Sequence, residues 1–333
     1  MAATTEMSFR PLGDSGLMVS AVGLGTNAFG TRIDADQSRR VVEAALDAGV
    51  TLFDTSDTYG RGSSEELLGR ALGRHRDDVV VATKFGMDMG GANGPDWGAR
   101  ASRRYVRRAV EASLRRLGTD HIDLYQLHQP DLVTPIGETL EALTELVAEG
   151  KVRYLGCSNF AAWEVVEAHW TATTRGVRRF VSAQNEYSLY NRAAEEELVP
   201  AVRRCGMGLV AYFPLAYGLL TGKYHRGQQP PAGSRLSADS QAHRLANADW
   251  DRIEALQDFA EEHGIGLLDV AIGGLAAQPA VASVIAGATR PEQVQANVRA
   301  GSWRPSREDL TALAAVNSER GRDMTHRSYV RDR

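Results

Sequence analysis

Four side chains in this chain are of types that work together on a proton: Asp54, Tyr59, Lys84 and His128. Each belongs to the end of a short apolar run. Tyr59 lies in Leu52-Phe53-Asp54-Thr55-Ser56-Asp57-Thr58-Tyr59-Gly60, Lys84 ends Val79-Val80-Val81-Ala82-Thr83-Lys84, and His128 ends Ile122-Asp123-Leu124-Tyr125-Gln126-Leu127-His128. A tyrosine gives up its proton only near pH ~10, so it is a poor acid at neutral pH unless something stabilises its anion. Lys84 is the candidate for that role, Asp54 would keep the ammonium charged and in place, and His128 would hydrogen-bond Tyr59 or a substrate oxygen. Taken singly, a Lys-Asp pair at strand ends is more often structural, and a lone His is more often simply hydrogen-bonded. Four such positions in agreement suit the protonation of an oxygen.

Those side chains need elements that bring distant segments to one place. Residues 21–24, 51–53, 79–82, 122–127, 154–157, 181–185, 208–212 and 282–285 read as strands. Helical periodicity alternates with them at 35–48, 103–117, 136–149, 161–169, 194–204, 249–263, 268–277 and 291–300. A further helix opens at Ser63-x-x-Glu66 with a capping-box pattern, and Pro291 stands at the first helical position where proline is favoured. Eight βα units predict an α/β fold, a closed (β/α)8 TIM barrel, in which strand carboxyl ends converge on one mouth. Residues 9–20, with Gly13-Asp14-Ser15-Gly16 in the middle, read as a hairpin that caps one end. The whole of 1–333 is expected to be one domain, with 320–333 a solvated Arg-rich tail. Two long connections, 85–102 and 213–247, follow strands and so belong to the catalytic rim; the second reads as a lid.

Bulk properties narrow the partners. A net charge of -4 with 24% charged residues provides no basic field for nucleic acid, which leaves a small molecule as the expected ligand. The first residues, Met1-Ala2-Ala3-Thr4-Thr5-Glu6, lack the basic and apolar regions of a secretory signal. Cys157 and Cys205 are the only cysteines, too few for a disulfide scaffold, and read as buried small residues; a cytoplasmic location is expected. The apolar stretch 267–288 is nearly long enough for a membrane span, but Asp269 would cost about 3 kcal/mol there and Gln278-Pro279 divides it. It reads as a buried helix, a turn and a strand. Oligomeric state is not legible.

At this point a family likeness emerges. Residues 49–60, from Gly49-Val50-Thr51 through Asp54 to Tyr59-Gly60, followed by Glu65-Glu66-Leu67-Leu68-Gly69, resemble the aldo-keto reductase family. Lys84, Leu127-His128-Gln129-Pro130-Asp131, Gly156-Cys157-Ser158-Asn159-Phe160, Gln184-Asn185-Glu186-Tyr187, Pro214-Leu215 and Leu220-Thr221-Gly222-Lys223-Tyr224 follow in family order over nearly the whole chain. The resemblance implies reduction of aldehyde or ketone carbonyls by NADPH, with NADH as the other possible cofactor, and Tyr59 as the general acid. It implies that Ser158, Asn159 and Gln184 bind the carboxamide and that Tyr212 stacks on the nicotinamide. Pro214, Leu215, Leu220 and Lys223 would lie along the pyrophosphate, and Gly287, Thr289, Arg290, Gln293 and Asn297 at the adenosine phosphate, beside a helix amino terminus. Gly287 and Gln293 stand where many members carry Lys and Arg, so Arg290 is expected to supply the cation. Phe29 and Trp97 are expected to shape the substrate pocket.

The same residues admit other chemistry. Ser158-Asn159 could simply cap the helix that follows. Gly23-x-Gly25-x-x-Ala28 resembles a dinucleotide fingerprint, but that motif should open a helix and the helical pattern starts only near Ala35. Lys84 could form a Schiff base in a barrel aldolase, against which Asp54 argues by favouring a charged lysine. No His-x-His pair marks a strand end, so a metal-dependent hydrolase is not supported and no metal is expected. The likeness also extends to channel-associated β subunits, which would keep the barrel and cofactor in a regulatory role.

Overall fold

The computed structural model describes residues 7–318. The expected tail at 320–333 lies outside them. A hairpin of β1 (Phe9–Pro11) and β2 (Met18–Ser20) precedes a closed barrel of β3 (Val22–Gly25), β4 (Leu52–Asp54), β5 (Val80–Phe85), β6 (Ile122–Leu127), β7 (Val152–Ser158), β8 (Ser182–Glu186), β9 (Gly208–Tyr212) and β10 (Val281–Gly287). All neighbouring barrel strands are parallel, and β10 closes on β3. Around them lie α1 (Ala35–Asp47), α2 (Ser63–Leu72), α3 (Arg103–Leu117), α4 (Ile136–Ala148), α5 (Ala162–Arg175), α6 (Leu198–Arg204), α7 (Ala242–Ala246), α8 (Trp250–Glu262), α9 (Leu267–Asp269), α10 (Pro291–Ala300) and α11 (Arg307–Ser318).

Every residue of β5 and β6 is buried. The cause is a sheet covered on both faces, by helices outside and by its own side chains inside. Phe53, Val81, Tyr125 and Leu155 belong to the large outer core with Val41, Leu68, Val106 and Leu143 of the surrounding helices. Leu52, Val80, Ala82, Leu124 and Val210 instead form an inner cluster, which Leu12, Leu17 and Val19 of the hairpin complete. The hairpin is therefore the floor of the barrel. Side chains alternate along a strand, so Asp54, two beyond Leu52, and Lys84, two beyond Ala82, share the inner face one layer nearer the mouth.

Local signals explain most boundaries. Asp34 caps α1 by accepting from Gln37 N at 2.8 Å, and Gly118 ends α3 in the left-handed region at φ 65°. The capping box expected at Ser63 does not form: Ser63 Oγ donates back to Gly60 O at 2.8 Å, and Gly62 at φ 99° takes the cap position. The helix expected over 194–204 is reduced to one 3-10 turn and α6, since Arg192 and Tyr187 hold Glu195. The apolar stretch 267–288 splits into α9, a fully buried π turn (Val270–Gly274) and β10. No described helix is long and apolar enough to cross a membrane. Gly273 lets this turn approach the end of α10 closely, since a Cβ there would meet Ala300 O at 2.8 Å. The long connection after β9 is not loose: Leu219, Leu220, Tyr224 and Leu236 pack with Ile253 and Leu256 of α8 in a second core. Leu313 of α11, a helix for which no sequence pattern was noted above, joins the same cluster.

Candidate active site

At the mouth Asp54 and Lys84 of β4 and β5 meet Tyr59, which opens a 3-10 turn (Tyr59–Gly62), and His128, which follows β6. Lys84 Nζ lies 2.7 and 2.8 Å from the two Asp54 oxygens, 2.8 Å from Thr55 O and 3.3 Å from Tyr59 OH. Lys84 is 0% exposed and Asp54 is 3% exposed. Taking both charges out of water costs several kcal/mol per ion, which only close pairing and further hydrogen bonds offset. The Tyr59 and His128 rings stand edge to face with centroids 6.0 Å apart. His128 is fixed by its backbone N–H to Phe85 O at 2.8 Å and by a 3.1 Å contact between its Nδ1 and Ser56 Oγ.

The electrostatics follow from this burial. For Lys84, burial pulls the ammonium down, but Asp54 and then Tyr59 outweigh it and leave the group above the ordinary lysine value. For Tyr59, burial raises the phenol; Lys84 opposes that and Asp54 adds to it, and the group remains above its ordinary value. Lys84 therefore moderates the phenol without carrying it below the usual range, and Tyr59 holds its proton. His128 is pulled down to about 3, first by burial and then by the Lys84 charge. A neutral imidazole results, able to donate from one nitrogen and accept at the other.

Beside the tetrad, β7 and β8 contribute a bonded set. Ser158 Oγ donates to Gln184 O at 2.8 Å, and Gln184 Nε2 donates to Asp54 Oδ1 at 2.8 Å. Asn159, in the left-handed region at φ 60°, donates to His128 O at 2.8 Å and accepts from Tyr212 OH at 2.7 Å. The cap reading of Ser158-Asn159 does not hold, since Ala161 is the cap and its N–H bonds Glu164. After β9, Phe213, Ala216 and Tyr217 all have positive φ. Strain of that kind persists where the surroundings over-determine it, commonly at ligand sites. Pro214 and Leu220 are buried, Leu215 is half-buried, and exposed Lys223 lies over the Tyr224 ring at 5.1 Å. At the head of α10, Gln293 accepts from Thr289 N at 2.8 Å; Arg290 and Gly287 are exposed and Asn297 is buried.

The two residues expected to shape the substrate pocket differ in their surroundings. Phe29 is 0% exposed within the outer core and bridges to Ile33, so its side chain packs the fold. Trp97 is 71% exposed under the Arg104 guanidinium, 4.5 Å from its ring centroid. Gly23 and Gly25 sit within β3, where a Cβ on Gly25 would come 2.8 Å from Ile285; they allow close strand packing and do not open a helix.

The structure also brings in residues that the sequence did not single out. Arg235 of the long β9 connection faces Arg32 after β3 and Arg244 as like charges, and Arg235 and Arg244 lie over the Tyr217 ring. Among the described residues neither Arg32 nor Arg235 has a carboxylate partner, an arrangement suited to an anion. Behind His128, buried Ser56, Asp57, Asn93 and Glu65 are joined with half-buried Arg116 in a continuous chain. A cavity of about 520 Å³ opens at the opposite end of the barrel, between the hairpin turn and the amino ends of β7 and β8. It is remote from the strand carboxyl ends that gather the tetrad. Among the described residues no cluster of His, Cys, Asp or Glu is arranged to hold a metal ion.

Comparison with known proteins agrees with this geometry. Residues 21–318 match the Aldo/keto reductase family. The chain is 37% identical to the uncharacterised oxidoreductase YrpG of Bacillus subtilis (strain 168), over 92% of this chain and 95% of the relative. It is 35% identical to a probable voltage-gated potassium channel subunit beta of Arabidopsis thaliana, over 88% and 91% of the two chains. It is 33% identical to the L-glyceraldehyde 3-phosphate reductase of Escherichia coli (strain K12), over 89% and 88%. With a closed eightfold barrel, an Asp-Tyr-Lys-His mouth and a match across nearly its whole length, the chain belongs to the aldo/keto reductase family, a family of oxidoreductases.

Proposed function

We propose that this protein reduces aldehyde or ketone carbonyls to alcohols, with NADPH as the preferred cofactor. The observation that carries the reading is the Lys84 ammonium in contact with both Asp54 and the Tyr59 phenol at the barrel mouth. Hydride would come from the reduced nicotinamide, the one piece of chemistry that these side chains do not supply. Tyr59 donates its proton to the carbonyl oxygen, and the negative charge left on the phenol oxygen develops 3.3 Å from Lys84 Nζ. A preformed cation there stabilises the product side of the proton transfer without reorganisation. His128, neutral, donates a second hydrogen bond to the same oxygen and orients it.

The residues present fit a nicotinamide cofactor. Gln184 spends its amide N–H on Asp54, which leaves its oxygen as an acceptor for a carboxamide N–H. The strained turn at 213–218 presents backbone to an anion, and Lys223, Arg32 and Arg235 offer charge beside it. Arg290, at the cap of α10, would take the adenosine phosphate.

Tyr59→Phe tests the reading against a panel of aldehydes and ketones, followed by NADPH absorbance. Loss of about 10²–10⁴-fold in turnover with cofactor binding retained is expected for a removed general acid. Substantial reductase activity in that variant overturns the assignment. The 35% identity to a channel subunit beta favours a second reading, a nucleotide-binding regulatory protein. Tight NADPH binding with no turnover on any carbonyl in the panel would favour it.

A further inference from the structure

Ser56 and Asp57 stand between the tetrad and the interior, and both are 0% exposed. Ser56 Oγ lies 3.1 Å from His128 Nδ1, 3.3 Å from Asp57 Oδ1 and 2.9 Å from Thr58 Oγ1. A serine hydroxyl has one proton for three acceptors. Asp57 Oδ2 is already engaged by Asn93 Nδ2 at 3.0 Å, and Arg116 Nη1 holds Asn93 Oδ1 at 3.1 Å, which fixes the amide and keeps its N–H toward Asp57. Arg116 in turn pairs with Glu65 at 2.6 Å, and Glu65 accepts from Thr83 at 2.6 Å. Only the Oδ1 side of Asp57 is left to communicate with Ser56.

We propose that Asp57 is a positioning residue which, acting through Ser56, determines which ring nitrogen of His128 carries the proton. With Asp57 neutral, its Oδ1–H donates to Ser56 Oγ, the Ser56 O–H donates to His128 Nδ1, and the ring proton resides on Nε2. His128 can then donate to a carbonyl oxygen. With Asp57 ionised, the carboxylate takes the Ser56 O–H, Nδ1–H donates to Ser56 Oγ, and Nε2 presents a lone pair that repels a carbonyl oxygen. His128 is neutral in both states: on ionisation the Asp57 proton passes to Ser56 Oγ, the Ser56 proton passes to His128 Nδ1, and the Nε2 proton leaves to solvent at the mouth. Both arrangements satisfy every buried donor, which is the condition for a two-state element in a dry interior.

The surroundings put the change in an accessible range. Burial, and then the like charge of Glu65 on α2, push the Asp57 carboxyl up to about 7; Arg116 on α3 and the hydrogen bonds from Ser56 and Asn93 oppose them. The other titratable groups facing it are Tyr105 on α3, Tyr125 on β6 and, through Ser56, His128. Lys84 contributes its backbone oxygen to Asp57 N at 3.2 Å and its charge to His128.

The functional consequence rests on the reductase reading, so two measurements separate the claims. In ¹⁵N-labelled full-length protein, nitrogen NMR of His128 reads the tautomer without turnover. The proton is expected on Nε2 below about pH 7 and on Nδ1 above it. In Asp57→Asn the side-chain amide mimics the neutral acid, accepting from Asn93 and donating to Ser56, and the Nε2 tautomer should persist throughout. Separately, kcat/KM for aldehyde reduction should fall about tenfold to a plateau from about pH 6 to pH 8 in the wild type. It should stay flat in Asp57→Asn and Ser56→Ala. A His128 tautomer that does not change across the wild-type titration overturns the proposal, and that arm needs no variant to fold. A break that survives in Asp57→Asn overturns it as well. Absence of turnover on every carbonyl, with the tautomer change intact, sinks the reductase reading alone.

Discussion

Gln184 and Asp54, 130 positions apart in the chain, share a 2.8 Å hydrogen bond across the barrel mouth. The bond ties the β8 residue assigned to the cofactor carboxamide to the carboxylate that holds Lys84. Asp54 Oδ1 accepts from both Gln184 Nε2 and Lys84 Nζ, so on the proposed reading the two roles are linked through one carboxylate oxygen. Gln184→Leu should weaken NADPH binding by about 10–100-fold, the range for a lost hydrogen bond to a charged group and its ligand partner, and should lower turnover as well. Fluorescence titration of NADPH alongside steady-state kinetics would measure both. An affinity equal to that of the wild type would remove Gln184 from the cofactor site.

Lys84→Met leaves Asp54 buried with only Gln184 as partner. A charge stranded in this way typically costs about 3–5 kcal/mol, so the urea midpoint should fall markedly. Adding Asp54→Asn in the same chain removes the stranded charge and should recover a large part of the loss. If the double variant is no more stable than Lys84→Met, the pair is not the source of the instability.

The buried pair of titrating groups predicts an unusual pH dependence of stability. His128, lowered to about 3, binds fewer protons folded than unfolded, so its contribution is lost as pH falls below the unfolded value near ~6.5. Asp57, raised to about 7, binds more protons folded, so its contribution is lost as pH rises from about 4 to 7. Each slope is at most about 1.4 kcal/mol per pH unit, and the two oppose each other between about pH 4 and 6.5. Asp57→Asn removes only the second. Relative to the wild type it should gain stability with rising pH across that window, as followed by urea unfolding at a series of pH values; parallel curves would contradict the shift assigned to Asp57.

Phe29 was expected to face substrate and instead lies wholly in the outer core. Phe29→Ala should therefore cost about 3–5 kcal/mol through a cavity. Ratios of kcat/KM among aldehydes should remain close to those of the wild type. A change in selectivity without a loss of stability would return Phe29 to the pocket.

Arg290 is exposed at the cap of α10, with no carboxylate partner among the described residues. Arg290→Ala should reduce the preference for NADPH over NADH by about tenfold, more strongly at low salt. An unchanged preference would remove Arg290 from the adenosine phosphate site.

Local pattern alone carried the barrel and the tetrad. Eight strand signals separated by 3.6-residue periodicity leave few topologies, and a residue at a strand carboxyl end must reach the mouth whatever its distance in sequence. Asp54, Lys84 and His128 were legible for that reason, and β6, β9, α3 and α10 have the bounds that their patterns predict. Ser63 could not be told from a cap by its type, because Gly60 O competes for its hydroxyl only after the chain turns. Which aromatic side chains line the mouth was equally undetermined: Phe29 and Trp97 differ in what packs on them, not in local sequence. The upward shift of Tyr59 and the chain of contacts from Glu65 and Arg116 through Asn93 to Asp57 also arise only on folding. Desolvation and Coulomb interaction depend on distances between residues tens of positions apart, and those distances exist only once α2, α3 and the loop after β5 pack together.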